Sequence, residues 1–387
     1  MKNTARLLLL LLLLAVPMRA GETARFLIER IDVRHLTRVS PDVIRAESRL
    51  HSGQTVTEND LRAANNRVKR LPFVLDATFS LERGTVRDEF VLVIAVDEAR
   101  PLFYLLDAVP FAKRDGVLQS VEDEALGVRS FAGRKDVFHL ALTAHEDDRP
   151  FESSYVALQG GYTRYGLFHD RAFATLTVST YGKREKGGSS GTTLPGGVLG
   201  VSLSTNHTLT ISYSGIDAGS ASRRAERILE SRLAYNTTNH PYFPSEGTLV
   251  SIAPVFAWID GIDRTPFHFA FHDFDTALDA HGARYWTLAD RLTGAVIVDG
   301  GLVHIKRREL GDRPVFNIAY GTASLRLWRA IGETNSETGQ RIEVTLGNSS
   351  HPRQFLPLVR EGKTQFSAAW VRRNAWGVMR FGLGVEW

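Results

Sequence analysis

The sequence predicts two parts: a small α+β domain, then a closed antiparallel β-barrel that crosses a membrane with its strands. Three observations predict this. The amino terminus carries one apolar run, Leu7 to Val16, and no later run is long enough for a spanning helix. Beyond Pro101 the hydrophobic period becomes two and stays two. The chain then ends on a strongly alternating segment, with Met379, Phe381, Leu383, Val385 and Trp387 on one face and Arg380, Gly382, Gly384 and Glu386 on the other. A barrel is the non-helical structure that satisfies every backbone group in lipid.

The first element is a leader. Lys2 and Arg6 precede eight consecutive leucines, and Arg19-Ala20-Gly21 offers a cleavage point. The apolar run is about ten residues, the size of a signal-peptide core. Residues 1–20 are therefore expected to be a signal peptide and the chain to be exported. Without Lys2, Arg6 and Arg19 the 47 basic residues fall to 44, against 43 acidic ones, which leaves no electrostatic case for nucleic acid. With no cysteine, disulfide frameworks, thiolate metal sites and cysteine nucleophiles are excluded.

Residues 24–99 are expected to form one domain of order β-α-α-β-β. Phe26 to Val33 reads as a strand with Leu27, Ile31 and Val33 on one face. Ser40-Pro41 caps and opens a helix to about Leu50. Thr57 and Asp60 stand at capping-box spacing ahead of Leu61, Ala64, Val68 and Leu71 on one helical face. Phe73 to Leu81 and Phe90 to Val96 read as strands joined at Gly84. With Ile31-x-Val33, Gly53, Leu71-x-Phe73 and Val96-Asp97-Glu98-x-x-Pro101, this unit resembles a POTRA (polypeptide-transport-associated) domain. His35 stands near where that family has glycine. The resemblance implies that a strand edge, offered to client chains, is the working part.

Residues 101–387 carry the barrel pattern: Leu199, Val201 and Leu203, or Leu209, Ile211 and Tyr213, alternate with small or polar residues. Barrel spacing gives roughly 12–14 strands, with about 12 favoured because bacterial barrels take even numbers. Lys183 to Gly197 and Gly332 to Gln340 read as exposed loops. The final strand, through Phe381, Leu383, Val385 and Trp387, resembles the signal by which outer-membrane barrels are recognised for assembly.

Two further stretches resemble the BamA/TamA superfamily (bacterial surface antigen family), of which this would be a shortened member. Asn239-His240-Pro241-Tyr242-Phe243-Pro244-Ser245-Glu246-Gly247 looks like its rigid turn between barrel strands. Arg326 and Trp328 match the arginine and aromatic of its lumen-folded lid loop, with Leu327 in place of glycine and Glu343 at its acidic position. The resemblance implies that Arg326 pairs with an inner-wall carboxylate, Glu343 first.

Other constellations carry no expected chemistry. Gly187-Gly188-Ser189-Ser190-Gly191 has the letters of a nucleophile elbow without its strand-turn-helix setting. His268 and His272, near Asp273 and Asp275, read as lumen residues rather than metal ligands. No catalytic residue, metal or cofactor is expected, and the chain is read as a non-enzyme. The expected function is assembly, insertion or translocation of proteins at the bacterial outer membrane, with the domain in the periplasm and the barrel in the membrane. The alternatives are a two-partner-type secretion pore and a non-catalytic channel or structural protein. Expected partners are outer-membrane lipids, unfolded outer-membrane or secreted clients, and periplasmic chaperones or assembly lipoproteins. Domain and barrel are expected to fold independently.

Overall fold

The computed structural model describes residues 24–386, apart from 109–110, 114–117, 120, 132–134, 146–154, 169–170, 186–187, 218–223, 241–243, 262–273, 307–314, 336–337 and 354–355. Residues 1–20, expected to be a signal peptide, and Trp387 lie outside the described residues, as do Pro241, Phe243, His268, His272, Asp273 and Gly187.

The amino-terminal domain runs β1 (Arg25–Arg34), α1 (Pro41–Ser48), β2 (Thr55–Thr57), α2 (Glu58–Val68), β3 (Val74–Arg83) and β4 (Glu89–Glu98). Its sheet order is β2-β1-β4-β3, with β1 parallel to β4. The short β2 is an addition to the expected order. It forms because the chain must run back along β1 before Thr57 can cap α2, and Phe26 pairs with Val56. Thr57 and Asp60 exchange both capping-box hydrogen bonds. A register shift between Ile28 and Arg30 changes which residues of β1 face the helices. Phe26 and Ile28 point inward before it and Ile31 and Val33 after it, so Ile28, not Leu27, is the fully buried residue. Phe73, Ile44, Val56, Val68, Leu92 and Ile94 complete a dry core. His35 sits in the left-handed region at φ 67°, a conformation glycine adopts more cheaply. Glu98 closes the unit by accepting the backbone N–H groups of Thr37, Arg38 and Val39 and the Thr37 hydroxyl.

The barrel begins with β5 (Leu102–Ala108) and β6 (Phe111–Lys113), two pieces of one strand that both pair with the last strand. β7 (Leu118–Gln119) and β8 (Val121–Arg129) are likewise two pieces of the next strand, pairing with β6 and β5. Then follow β9 (Asp136–His145), β10 (Tyr155–Leu167), β11 (Ala172–Glu185), β12 (Gly188–Ser202), β13 (His207–Asp217), β14 (Arg224–Asn236), β15 (Gly247–Gly261), β16 (Phe274–Ala289), β17 (Leu292–Lys306), β18 (Val315–Asn335), β19 (Thr338–Arg353), β20 (Leu356–Arg373) and β21 (Gly377–Glu386).

Among the described residues the barrel closes with 15 strands, which corrects the expected 12. Two of its strands, β5/β6 and β7/β8, precede the region where alternation is legible in the sequence. Leu102-Phe103-Tyr104-Leu105-Leu106 has no alternation, and Glu122-Asp123-Glu124 resembles a loop. An odd number of strands, each antiparallel to the next, leaves the first and last pointing the same way. Closure is accordingly parallel, from Gly377↔Tyr104 to Phe381↔Ala108 and from Gly384↔Phe111 to Glu386↔Lys113.

The expected loops at 183–197 and 332–340 are mostly hairpin strand, with pairs continuing to Glu185↔Gly188 and Asn335↔Thr338. Backbone ladders of this kind need no apolar side chains, so Gly/Ser/Thr composition hid them. Each strand from β9 to β21 carries an exposed Leu, Ile or Phe, from Leu140 through Leu176 and Leu278 to Phe381. Leu102 and Leu126 extend the belt across β5 and β8. A continuous ring of exposed apolar side chains is the outer surface of a membrane barrel.

Candidate functional site

The domain sits across one mouth of the barrel, against its short turns. Ala99, just after β4, donates its N–H to the Phe73 carbonyl, and Arg100 N–H donates to Ala375. The domain core runs on into the barrel: Val137 belongs to it, Phe103 and Tyr165 pack on it, and Phe73 meets Tyr165 edge-on at 5.2 Å.

Arginines fix the two together. Arg67, 3% exposed on α2, donates to the carbonyls of Ser204 (2.7 Å) and Thr205 (2.9 Å) and to the Ser202 hydroxyl. Arg70 donates to Asn236 and Thr238. From the barrel side, Arg373 donates to the Leu75 carbonyl at 2.8 Å. Helix C-terminal arginines resemble a solvated face in sequence, and here they bind turn carbonyls instead. The two parts, expected as separate folding units, are thus joined by side-chain contacts.

The Asn239 turn is held by its first residue. The Asn239 side-chain oxygen accepts the N–H groups of Ser245 (3.0 Å) and Glu246 (3.2 Å), and its amide donates to the Ser245 hydroxyl. Gly247 leaves the turn at φ 106°, where a side chain would be strained; Pro244 lies between these anchors. His240 accepts a 2.5 Å hydrogen bond from Arg373. Burial, then the Arg373 charge, pushes the His240 ring down to about 3, so it stays neutral and able to accept.

The expected lid loop is not a loop. Arg326 and Trp328 lie inside β18, paired with Thr345 and Glu343 on β19. The reason is legible locally: Leu325, Leu327 and Ile331 are exposed on the outer face, so the segment alternates as a strand. Leu327 also lacks the freedom of the glycine it replaces. The structure nonetheless brings Arg326 and Glu343 together, with Nε 3.4 Å from the carboxylate.

Glu343, 1% exposed, is shared. Arg341 reaches it at 2.9 Å and Arg380, on the final strand, at 3.2 Å. Arg341 also lies over the Trp328 ring at 4.8 Å, and Trp328 meets Tyr285 at 5.8 Å. This knot ties β16, β18, β19 and β21 together on the inner wall. Sequence reasoning missed Arg341 and Arg380; both have the inward parity of Glu343 in their ladders.

Farther round the wall, His281 contacts Asp299 at 2.5 Å, and Ser251 pairs in register with His281. The Ser251 hydroxyl receives its bond from Arg232, at 3.4 Å, so the row forms a polar ladder and not a serine–histidine pair. Ser189, Ser190 and Gly191 lie in β12, confirming no helix after them. Phe381 and Leu383 of the terminal strand are 44% and 69% exposed on the outer face, and Val385 pairs with Phe366 and Ala112.

No family model and no curated protein matches the chain. Solved structures similar to it include three barrels. BamA from Haemophilus ducreyi lacking POTRA domains 1-3 is 12% identical with a TM-score of 0.44, over 94% of this chain and 85% of that one. CdiB from Acinetobacter baumannii is 10% identical with a TM-score of 0.49, over 94% and 74%. CdiB from Escherichia coli is 11% identical with a TM-score of 0.47, over 97% and 89%. The likeness is one of overall shape.

Proposed function

We propose that the protein assembles, inserts or translocates other proteins at the bacterial outer membrane, its amino-terminal POTRA-like domain on the periplasmic side. The observation that carries this reading is the parallel seam between β21 and β5/β6, with the domain docked at its base. Parallel pairs are slightly weaker per residue than antiparallel ones, and this ladder runs from Gly377↔Tyr104 to Phe381↔Ala108 and from Gly384↔Phe111 to Glu386↔Lys113 in one register. Among the described residues it is the one parallel junction of the barrel wall.

The second support is the domain's sheet. Beyond β3, no further strand pairs among the described residues, and Thr78 to Arg83 is mostly exposed. An extended client segment can add to that edge by main-chain hydrogen bonding. A client held there lies beside the seam, where its own strands can pair as they enter lipid. The chemistry needs no bond-making, only burial of the client's apolar face as the driving force. The terminal strand, with Phe381, Leu383, Val385 and Trp387, serves as this protein's own assembly signal in the same reading.

The test is to deplete the protein and quantify the outer-membrane proteome. Broad loss of barrel proteins is the expected result. Loss of a single exported protein would assign a secretion pore, and an unchanged profile would leave a structural role.

A further inference from the structure

The docked interface holds more guanidinium than carboxylate. A cavity of about 280 Å³ lies between the domain's helices and the barrel rim, lined by Glu47, Arg67, Arg70, Arg171, Tyr165 and Ser202 among others. Arg49 stands beside it, donating to the Ser202 carbonyl at 3.4 Å. Glu47 is the one carboxylate in that lining, and Arg67 Nε takes it at 2.8 Å. Arg67 is then fully used by Glu47 and the turn at 202–205. Arg49, Arg70 and Arg171 are not balanced.

Three observations mark the imbalance. Arg49 Nε and Arg70 Nε are buried without a hydrogen-bond partner among the described residues. Arg171 makes no side-chain ion pair among them. Burial and the neighbouring Arg67 charge push Arg70 down to about 10, while burial, Arg67 and Arg171 together lower Arg49. Burial raises Glu47 despite the arginines around it, which weakens the counter-charge further. Like charges crowded at a closed interface oppose docking unless an anion joins them.

We propose that this cavity binds a phosphate group, free or carried on a phospholipid headgroup, which neutralises the guanidinium surplus and fastens the domain to the barrel rim. A tetrahedral oxyanion suits the place because it offers acceptors in several directions, and guanidinium forks approach from α1's end, from α2 and from the rim turn. The rim turn also carries Phe168, 71% exposed, at the level where aromatic side chains meet headgroups. The volume admits a phosphate together with bound water.

The experiment uses the whole protein in a non-ionic detergent. Equilibrium dialysis against labelled inorganic phosphate should show saturable binding to one site per chain. Arg49→Gln and Arg171→Gln should each weaken it about tenfold or more, the loss of one charge-assisted hydrogen bond. Arg62→Gln, on the exposed face of α2, should leave it unchanged. Arg171 lies on an exposed turn, so its variant keeps the fold; unaltered heat-dependent gel mobility checks this. A second arm replaces free phosphate with phosphatidylglycerol, against diacylglycerol, in mixed micelles. Arginine-dependent binding of the lipid alone assigns the headgroup as source and supports the site. Absence of binding in both arms, or binding that ignores both arginine changes, overturns it.

Discussion

Replacing Glu343 by glutamine keeps the shape of the side chain and removes the negative charge shared by Arg326, Arg341 and Arg380, at 3.4, 2.9 and 3.2 Å. Glu343 is 1% exposed, so water cannot compensate. Breaking a buried pair from one side costs about 3–5 kcal/mol, because the opposite charge is left unpaired. Arg326→Ala is a smaller change. Its side chain is 31% exposed and its contact the longest, and Glu343 keeps two guanidiniums, so about 1 kcal/mol is expected. Arg329→Ala, exposed on the outer face at the rim, should fall within about ±0.5 kcal/mol. Adding Arg326→Ala to Glu343→Gln should restore stability, since it removes one of three repelling charges. The assay is the temperature at which the folded, fast-migrating gel form is lost, supported by urea titration of barrel tryptophan fluorescence. Equal midpoints for Glu343→Gln and Arg329→Ala would refute the reasoning, and an additive double variant would show that the charges are not coupled.

Arg67→Ala should release the domain while the barrel stays closed, seen as rapid proteolysis of residues 24–98 with unchanged barrel gel mobility. Glu47 has a raised pKa in the folded state, so its carboxyl favours docking at low pH. That contribution fades as pH climbs from the usual carboxylate range through the raised value, and Glu47→Gln should flatten the dependence of protease protection on pH. Glu98 is shifted the other way. Burial raises it, but the donors at Thr37, Val39 and Arg38 outweigh that, so its stabilisation holds at neutral pH and is lost on acidification; Glu98→Gln should abolish that acid sensitivity. Deleting Trp387 should leave the chain in the periplasm, and normal outer-membrane levels would disprove the terminal-strand signal.

What could be read from sequence followed local rules. Thr57 and Asp60 announce α2 because capping is decided within four residues, and the outward leucines announce β9 to β21 because lipid imposes period two. The missed parts depend on distant chain. β5 reads as featureless because Phe103 packs on the domain core while Leu102 faces outward, so both faces are apolar. Arg67 and Arg70 give no sign of their role, because nothing near them in sequence reveals the turns at 202–205 and 236–238. Arg326 and Glu343 could be paired by resemblance, but their setting in a strand was already written in Leu325, Leu327 and Ile331.

The odd strand number has a consequence for how the two parts depend on each other. An even barrel closes antiparallel, with its first and last strands running in opposite directions. Here β5 and β21 start together at the rim, from Pro101 and from Gly377, so both enter the barrel beside the domain. The same rim residues therefore begin the seam and bind the domain: Arg100 N–H meets Ala375, Tyr104 N–H meets Trp376, and Arg373 reaches Leu75. Undocking the domain removes the Arg373 anchor at the point where the parallel ladder starts, and a ladder opens most easily from its end. Domain position and seam opening are thus coupled through a few hydrogen bonds. Arg373→Ala should loosen both at once, raising hydrogen exchange at Val378 to Phe381 and proteolysis of the domain together. Faster exchange in only one of the two would show that they move separately.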